Sequence, residues 1–276
     1  MCDSSSPVNS LRVALVGKGG AGKSMICGTL ARVLARRGHR VLALDVDTLP
    51  GLALSLGLSL DATGEAGLPE DLDEHVEGRG WVLKEGVDVV ELVAQHSVAA
   101  PDGIRFLQLG KLPGRMKLGS TTAFRAVLER FREEGWSLIG DLAAGTRQPF
   151  FGWSNFAEVV LIVVEPSAKS TLTARRLAKL ADERKTEAGE TRPRPLVGWV
   201  ANKLRSEKDL PRIERALNGH PLPLLAALPY DEQCAAAERL GQAPMDVVPN
   251  ALAVVAIEKL ATWLEQRSQV SKGVLQ

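Results

Sequence analysis

Short apolar runs alternate with longer stretches of helical spacing from Leu11 almost to the end of the chain. Leu11 to Val16 is a compact apolar run that stops at glycines, as expected of a strand buried on both faces. From Gly22 to Arg37 the spacing turns helical, with Ile26, Leu30, Val33 and Leu34 on one face and Gly38 as the stop. Arg40 to Leu44 is the next strand, so the first unit is strand–helix–strand, with the length a right-handed crossover needs. The same alternation predicts strands at Ile104 to Leu109, Ser137 to Gly140, Glu158 to Val164, Leu196 to Val200 and Leu224 to Leu228. Helices are predicted at Thr121 to Glu134, Ser170 to Arg184, Leu210 to Leu217, Asp231 to Leu240 and Ala251 to Gln266. This rhythm specifies an α/β architecture of three layers, a mostly parallel sheet flanked by helices on both faces. Asp61 to Gly80 breaks it. The glycines there, with Glu65, Glu70, Asp71, Asp73, Glu74 and Glu77, read as a solvated, partly mobile surface loop with a short helix. No repeat or linker divides the chain. One domain is expected over residues 11–267, between a disordered tail at 1–10 and a flexible tail at 268–276.

Composition narrows the picture without redirecting it. With 276 residues, 45% of them hydrophobic, the chain can bury a core without covalent staples. A formal net charge of +1 supplies no global field toward nucleic acid or an anionic membrane. Cys2, Cys27 and Cys234 stand far apart with no C-x-x-C spacing, which suits reduced thiols in a cytosol. Met1 to Ser10 has no apolar signal core, and no run reaches the roughly 18 apolar residues of a membrane span. The expectation is a soluble, cytoplasmic protein.

The chemistry concentrates where strands end. Gly17-Lys18-Gly19-Gly20-Ala21-Gly22-Lys23-Ser24 follows a strand and opens a helix, the setting a phosphate loop requires. Its glycines let the backbone fold tightly with N–H groups turned inward around phosphate oxygens. The helix N-terminus, continuing through Met25, adds partial positive charge. Lys23 can reach the β and γ phosphates of ATP, and the Ser24 hydroxyl can coordinate Mg2+. Asp45 and Asp47 close the second strand, and Asp141 closes the strand from Ser137, at carboxyl ends that face the ligand crevice of a parallel sheet. Asp141-Leu142-Ala143-Ala144-Gly145 has the D-x-x-x-G form of a γ-phosphate switch, with Asp141 toward the Mg2+ shell and the Gly145 N–H toward the phosphate.

Lys18, one residue after the first glycine, gives the string Lys-Gly-Gly-x-Gly-Lys-Ser. This resembles the deviant phosphate loop of the MinD/ParA ATPases. The resemblance implies a P-loop NTPase fold and a homodimer when ATP is bound, in which the extra lysine contacts the partner subunit's ATP. It implies that Asp47 orients the attacking water and Asp45 supports Mg2+ through water. It also implies that Asn202, Lys203, Pro229 and Tyr230 lie at the adenine, although Tyr230 also suits a plain core ring. The family's asparagine beyond the first switch is replaced here by Leu49-Pro50-Gly51-Leu52.

Glu165-Pro166-Ser167-Ala168-Lys169-Ser170, Thr173-Ala174-Arg175-Arg176 and Ala100-Pro101-Asp102-Gly103 resemble the nickel-insertion ATPases of carbon monoxide dehydrogenase in particular. Those carry a C-x-C metal pair where this chain reads Gly110 to Gly119 without cysteine or histidine, so neither stoichiometric nickel nor an Fe–S cluster is expected. The implied function is a slow, partner-stimulated ATPase switch that matures or remodels an unidentified protein. The alternatives are a ParA/MinD-like spatial organiser on DNA or membrane, and a weakly hydrolysing regulatory subunit. Basic residues Arg175, Arg176, Lys179, Arg184 and Lys185 are interleaved with Asp182 and Glu183, which argues little for nucleic acid. The closing helix lacks the basic face of a membrane anchor. Phe150, Phe151, Trp153 and Phe156 form an aromatic cluster, read either as internal packing or as a partner surface.

Overall fold

Apolar runs without alternation can be satisfied only between two covering layers, and they become the strands of one sheet. The computed structural model of the protein describes residues 9–47, 51–59, 61, 67–69, 71–78, 80–109, 118–145, 153–186, 195–220 and 222–273. In chain order the elements are β1 (Arg12–Gly17), α1 (Lys23–Arg36), β2 (Arg40–Asp45), α2 (Gly51–Leu56), β3 (Asp73–Val76), β4 (Gly80–Leu83), α3 (Val89–His96), β5 (Val98–Ala99), β6 (Arg105–Gln108) and α4 (Leu118–Arg130). They continue with β7 (Trp136–Asp141), β8 (Val159–Val164), α5 (Ala168–Thr186), β9 (Leu196–Leu204), α6 (Asp209–Leu217), β10 (Leu224–Pro229), α7 (Glu232–Arg239), α8 (Pro244–Val247) and α9 (Leu252–Gly273). Among the described residues the sheet has eight strands in the order β10-β9-β8-β1-β7-β2-β6-β5. All neighbours run parallel except β5, which lies antiparallel on β6. The α/β three-layer reading therefore holds.

Every residue of β8 is buried, as a strand covered on both faces must be. Alternate residues serve two cores. Val13, Leu15, Val41, Ala43 and Ile139 face α1, α2 and α9, with Ile26, Leu30 and Leu34 of α1 among them. Ala14, Val16, Leu42, Leu44 and Leu138 face α4, α5 and α6. The chain passes from β7 across β1 to β8, so the sheet reverses its direction of growth around β1, and a crevice is expected at that point.

α9 packs on the first core through Ala253, Val254, Ile257, Leu260, Ala261 and Leu264, an i, i+3/i+4 stripe, while Leu252 is exposed. The helix also continues to Gly273, past the expected end at Gln266. No helix of the described residues is long and apolar enough to cross a membrane.

The excursion at Asp61 to Gly80 differs from expectation. Its described part forms an antiparallel ribbon, β3 on β4, with Asp73 opposite Leu83 and His75 opposite Trp81. The ribbon rests on α4 and is stiffened by an edge-to-face His75–Trp81 contact at 5.6 Å. Of the aromatic cluster, Trp153 and Phe156 are buried in the second core, Trp153 beside Phe124. That supports internal packing for those two. Phe150 and Phe151 lie outside the described residues.

α2 had no sequence signal, and its position is set by a helix crossing. A Cβ on Gly28 of α1 would come within 2.6 Å of Ser55 Cβ and 2.8 Å of the Ser55 backbone. Arg32, one turn on, is buried and binds Asp102 Oδ2 at 2.6 Å and Asp246 Oδ1 at 2.7 Å, tying α1 to the turn Pro101–Gly103 and to α8. Gly28→Ala should gain helix propensity yet destabilise the fold by about 1–3 kcal/mol, because the clash is with backbone. A urea midpoint at or above that of the natural chain would disprove the close crossing.

Candidate active site at the carboxyl ends of the strands

The loop between β1 and α1 is shaped by two glycines that no other residue could replace. Gly17 has φ +148°, and a Cβ there would lie 2.5 Å from the Val163 carbonyl oxygen of β8. Gly22 has φ +95°, and a Cβ there would lie 2.3 Å from Asn202 Nδ2. Gly22 also begins α1 with no side-chain cap and no acidic residue in the first turn. The N-terminal amides of a 14-residue helix thus remain open for an anion. Gly19 and Gly20 are exposed at the lip, while Ala21 and Met25 point into the first core. Met25 can therefore serve a ligand only through its main chain.

Asp45 and Asp141 are register partners on adjacent strands, so they project on the same side, toward the start of α1. Both are buried. Ser24 Oγ donates to Asp141 Oδ2 at 2.6 Å. Asp45 accepts the Asp47 N–H at 2.9 Å and the Leu52 N–H at 3.3 Å, so it also anchors α2. Burial pushes the Asp141 carboxyl up to about 6, against the pull of Lys23 and Ser24. Burial, and next the Asp141 charge, push Asp45 well above the ordinary carboxylate range despite its two N–H donors. Asp141 Oδ1 is buried with no hydrogen-bond partner.

Two crowded carboxylates and an orphaned oxygen beside a serine hydroxyl suit a hard divalent cation. Among the described residues no group of three or more His, Cys, Asp or Glu is placed to hold a metal alone. Mg2+ commonly takes one or two carboxylates and completes its shell from phosphates and water. Asp47 sits half-buried just beyond the Asp45–Asp141 pair. Cys27, beneath them, has its thiol pushed up by burial and then by Asp141, so it is an inert thiol.

The two lysines of the loop differ. Lys23 is buried at the floor. Lys18 has a side chain 30% exposed, and its Nζ donates to the Gly19 carbonyl at 2.9 Å and to Glu165 Oε1 at 3.2 Å. Glu165 follows β8 and had no assigned role, though its position after a parallel strand is the same signal that marks Asp45 and Asp141. The Gly145 N–H donates to the Gly17 carbonyl at 3.3 Å, which ties the second switch to the loop's first residue.

Asn202 and Lys203 are among the last three residues of β9, and both side chains meet the loop. Asn202 Nδ2 donates to the Ala21 carbonyl at 2.8 Å and Lys203 Nζ to the Gly20 carbonyl at 2.7 Å. Pro229 and Tyr230 stand on the neighbouring strand end, where the Tyr230 N–H donates to the Leu204 carbonyl at 2.7 Å. Tyr230 is not a core ring: it is half-buried, under the Arg205 guanidinium at 3.4 Å, with its hydroxyl donating to Glu232. The structure thus brings the loop, Asp45, Asp141, Asn202 and Lys203 together at the carboxyl ends of the strands, with Pro229 and Tyr230 on the adjoining end of β10. Leu49, Pro50 and Gly110 to Lys117 lie outside the described residues.

The family model of the CobQ/CobB/MinD/ParA nucleotide binding domain matches residues 13–245. An uncharacterised ATP-binding protein of Methanocaldococcus jannaschii is 27% identical over 269 residues, covering 92% of this chain and 97% of that one. The carbon monoxide dehydrogenase accessory protein CooC of Rhodospirillum rubrum is 28% identical over 261 residues, covering 87% of this chain and 91% of its own. Among solved structures, a ParA family ATPase from Chlorobium tepidum superposes with a TM-score of 0.67 at 19% identity, over 92% of this chain and 98% of that one, a likeness of fold.

Asp141 is held at an energetic cost without a cation. Its folded value of about 6 lies above the ordinary 3.8, so the stability it contributes is present below 3.8 and lost as pH rises through about 6. Asp141→Asn should therefore stabilise the nucleotide-free, Mg2+-free protein at pH 7.5, by on the order of 2–3 kcal/mol, while Mg2+-dependent nucleotide binding collapses. Thermal melting in chelator decides it: a lower melting point for the variant would show that the carboxylate is not strained.

Proposed function

For a chain that belongs to the CobQ/CobB/MinD/ParA nucleotide-binding family, a family of ATP-binding ATPases, we propose the role of a dimeric switch. On this reading ATP closes the homodimer, hydrolysis reopens it, and the cycle matures or remodels a protein partner. The observation that carries it is the contrast between Lys23, buried in its own site, and Lys18, partly exposed and engaged by Glu165 and the outer Gly19 carbonyl. A cation placed on the outer side of its own loop is free to serve a triphosphate held by a second copy.

Within one subunit the work divides by position. The open amides of α1 and the Lys23 ammonium bind the β and γ phosphates. Ser24, Asp141 and, through water, Asp45 would hold Mg2+, which when bound neutralises phosphate charge. Asp47 orients the attacking water. It is two residues past the buried Asp45, whose carboxylate holds the N–H groups of Asp47 and of Leu52 at the start of α2. Gly145, whose N–H is held by Gly17 at the loop's root, reports the γ-phosphate to the segment after β7. Asn202, Lys203, Pro229 and Tyr230 supply the base end, with two of them also bracing the loop.

A maturation role is supported by the likeness to the carbon monoxide dehydrogenase accessory protein across most of both chains. Against a membrane-anchored organiser stands α9, whose apolar stripe is buried in the first core. Hydrolysis is expected to be slow until the partner binds.

Asp47→Asn should reduce ATP turnover by about 100-fold while retaining MgATP, and should elute as a dimer with ATP and as a monomer without it. Lys18→Ala should keep nucleotide affinity within about threefold and lose the dimer. Light scattering after size exclusion reads both. A Lys18→Ala protein that still dimerises with ATP would sink the cross-subunit assignment. Pull-down by Asp47→Asn with and without ATP should recover the partner only in the ATP lane.

A further inference from the structure

The end of β9 does more than strand pairing requires. Between the pairs Ala201↔Ala227 and Leu204↔Pro229, β9 has Asn202 and Lys203 where β10 has Leu228 alone. This is a bulge with one extra residue. Lys203 carries it in the left-handed region, at φ 59°, where a lysine is strained and a glycine would be at ease. Such strain persists where something depends on it.

What the bulge changes is direction. Neighbouring side chains of a regular strand point to opposite faces. Here Asn202 and Lys203 reach adjacent carbonyls of one loop, Ala21 at 2.8 Å and Gly20 at 2.7 Å. Lys18 Nζ takes the preceding carbonyl, Gly19, at 2.9 Å. Three successive loop carbonyls are drawn onto side-chain donors. Because a peptide N–H and C=O point in opposite directions, outward Gly19 and Ala21 carbonyls turn the Gly20 and Gly22 N–H groups toward the concavity that takes phosphate, while the outward Gly20 carbonyl sets the Ala21 N–H to close the loop's turn on the Lys18 carbonyl at 3.2 Å. Glu165 joins the two cations, with Lys18 Nζ at 3.2 Å and Lys203 Nζ at 3.9 Å, and Ser167 Oγ donates to it at 3.0 Å.

We propose that Lys203 is a positioning residue that pre-forms the phosphate loop by its Gly20 carbonyl, with Glu165 as the counter-ion that keeps it seated when Lys18 leaves. The proposal rests on the nucleotide-binding reading of the loop, and it shifts the role of Lys203 from the base to the loop backbone. The bulge is then the means by which one strand end supplies two adjacent braces.

Lys203→Gly is the informative variant, since glycine accepts φ 59° without strain while the side chain and its ammonium are removed. If Lys203 merely completed the strand, the glycine variant would match the natural chain. The proposal requires faster amide hydrogen exchange at Gly19 to Ser24 in the nucleotide-free protein. It also requires about tenfold weaker binding of both MgADP and MgATP, read with fluorescent analogues, and a KM for ATP that rises about tenfold while kcat stays within about threefold. Lys203→Arg, which keeps a cation, should recover most of the affinity. Should glycine loosen β9, Lys203→Asn, also tolerant of positive φ, gives the same readings. Unchanged exchange at the loop with nucleotide affinity within twofold overturns the proposal, as does an arginine variant as weak as the glycine one. If the natural chain binds neither nucleotide, the ATPase reading fails, and the exchange comparison still decides whether Lys203 holds the loop.

Discussion

Two carboxylates, Asp45 and Asp141, are forced side by side where the sheet is driest, and the geometry around them answers that repulsion. They are register partners on neighbouring strands, so neither can turn away without unpairing β2 from β7. Lys23 and Ser24 offset part of the cost, and Asp45 takes two backbone donors, one from the start of α2. An arrangement of this kind is poorly stable when empty and improves when a cation arrives. Active sites commonly keep such strain because the ligand relieves it.

The same principle organises the loop above them. Its amides must face inward before any phosphate is present, and a glycine-rich segment does not hold that shape unaided. Side chains from β9 and from the loop itself hold the carbonyls outward, while Gly17 and Gly22 permit the close approaches to β8 and to Asn202. Glu165 links the Lys203 ammonium that braces the loop with the ammonium of Lys18. Loop shape and charge balance thereby share one cluster at the ends of β1, β8 and β9.

Distance from the site is bridged by packing. Gly28 lets α2 lie directly against α1, and Arg32 fastens α1 to the Pro101–Gly103 turn and to α8. A shift of α2 would meet α1 at Gly28 and, through Arg32, reach α8. The apolar stripe of α9 closes the first core, so that helix belongs to the domain's interior.

Much of this was legible along the chain. The alternation of apolar runs with helical faces determined the three layers, because a strand with no polar side must be covered twice. Motif spacing determined the phosphate loop and the carboxylates at strand ends, because glycine permissiveness and strand polarity are local properties. Local pattern did not reveal α2, the β3–β4 ribbon, or the extension of α9 to Gly273. Those elements owe their form to what they pack against: the bare surface of α1 at Gly28 and the face of α4 under β3 and β4. Nor did it show that Asn202 and Lys203 would turn to the same loop, or that Glu165 would sit between two lysines. Asn202 lies 181 positions from its loop carbonyl, Lys203 lies 183 from its own, and Glu165 is 147 positions from Lys18, so only strand register and a bulge in β9 bring them together.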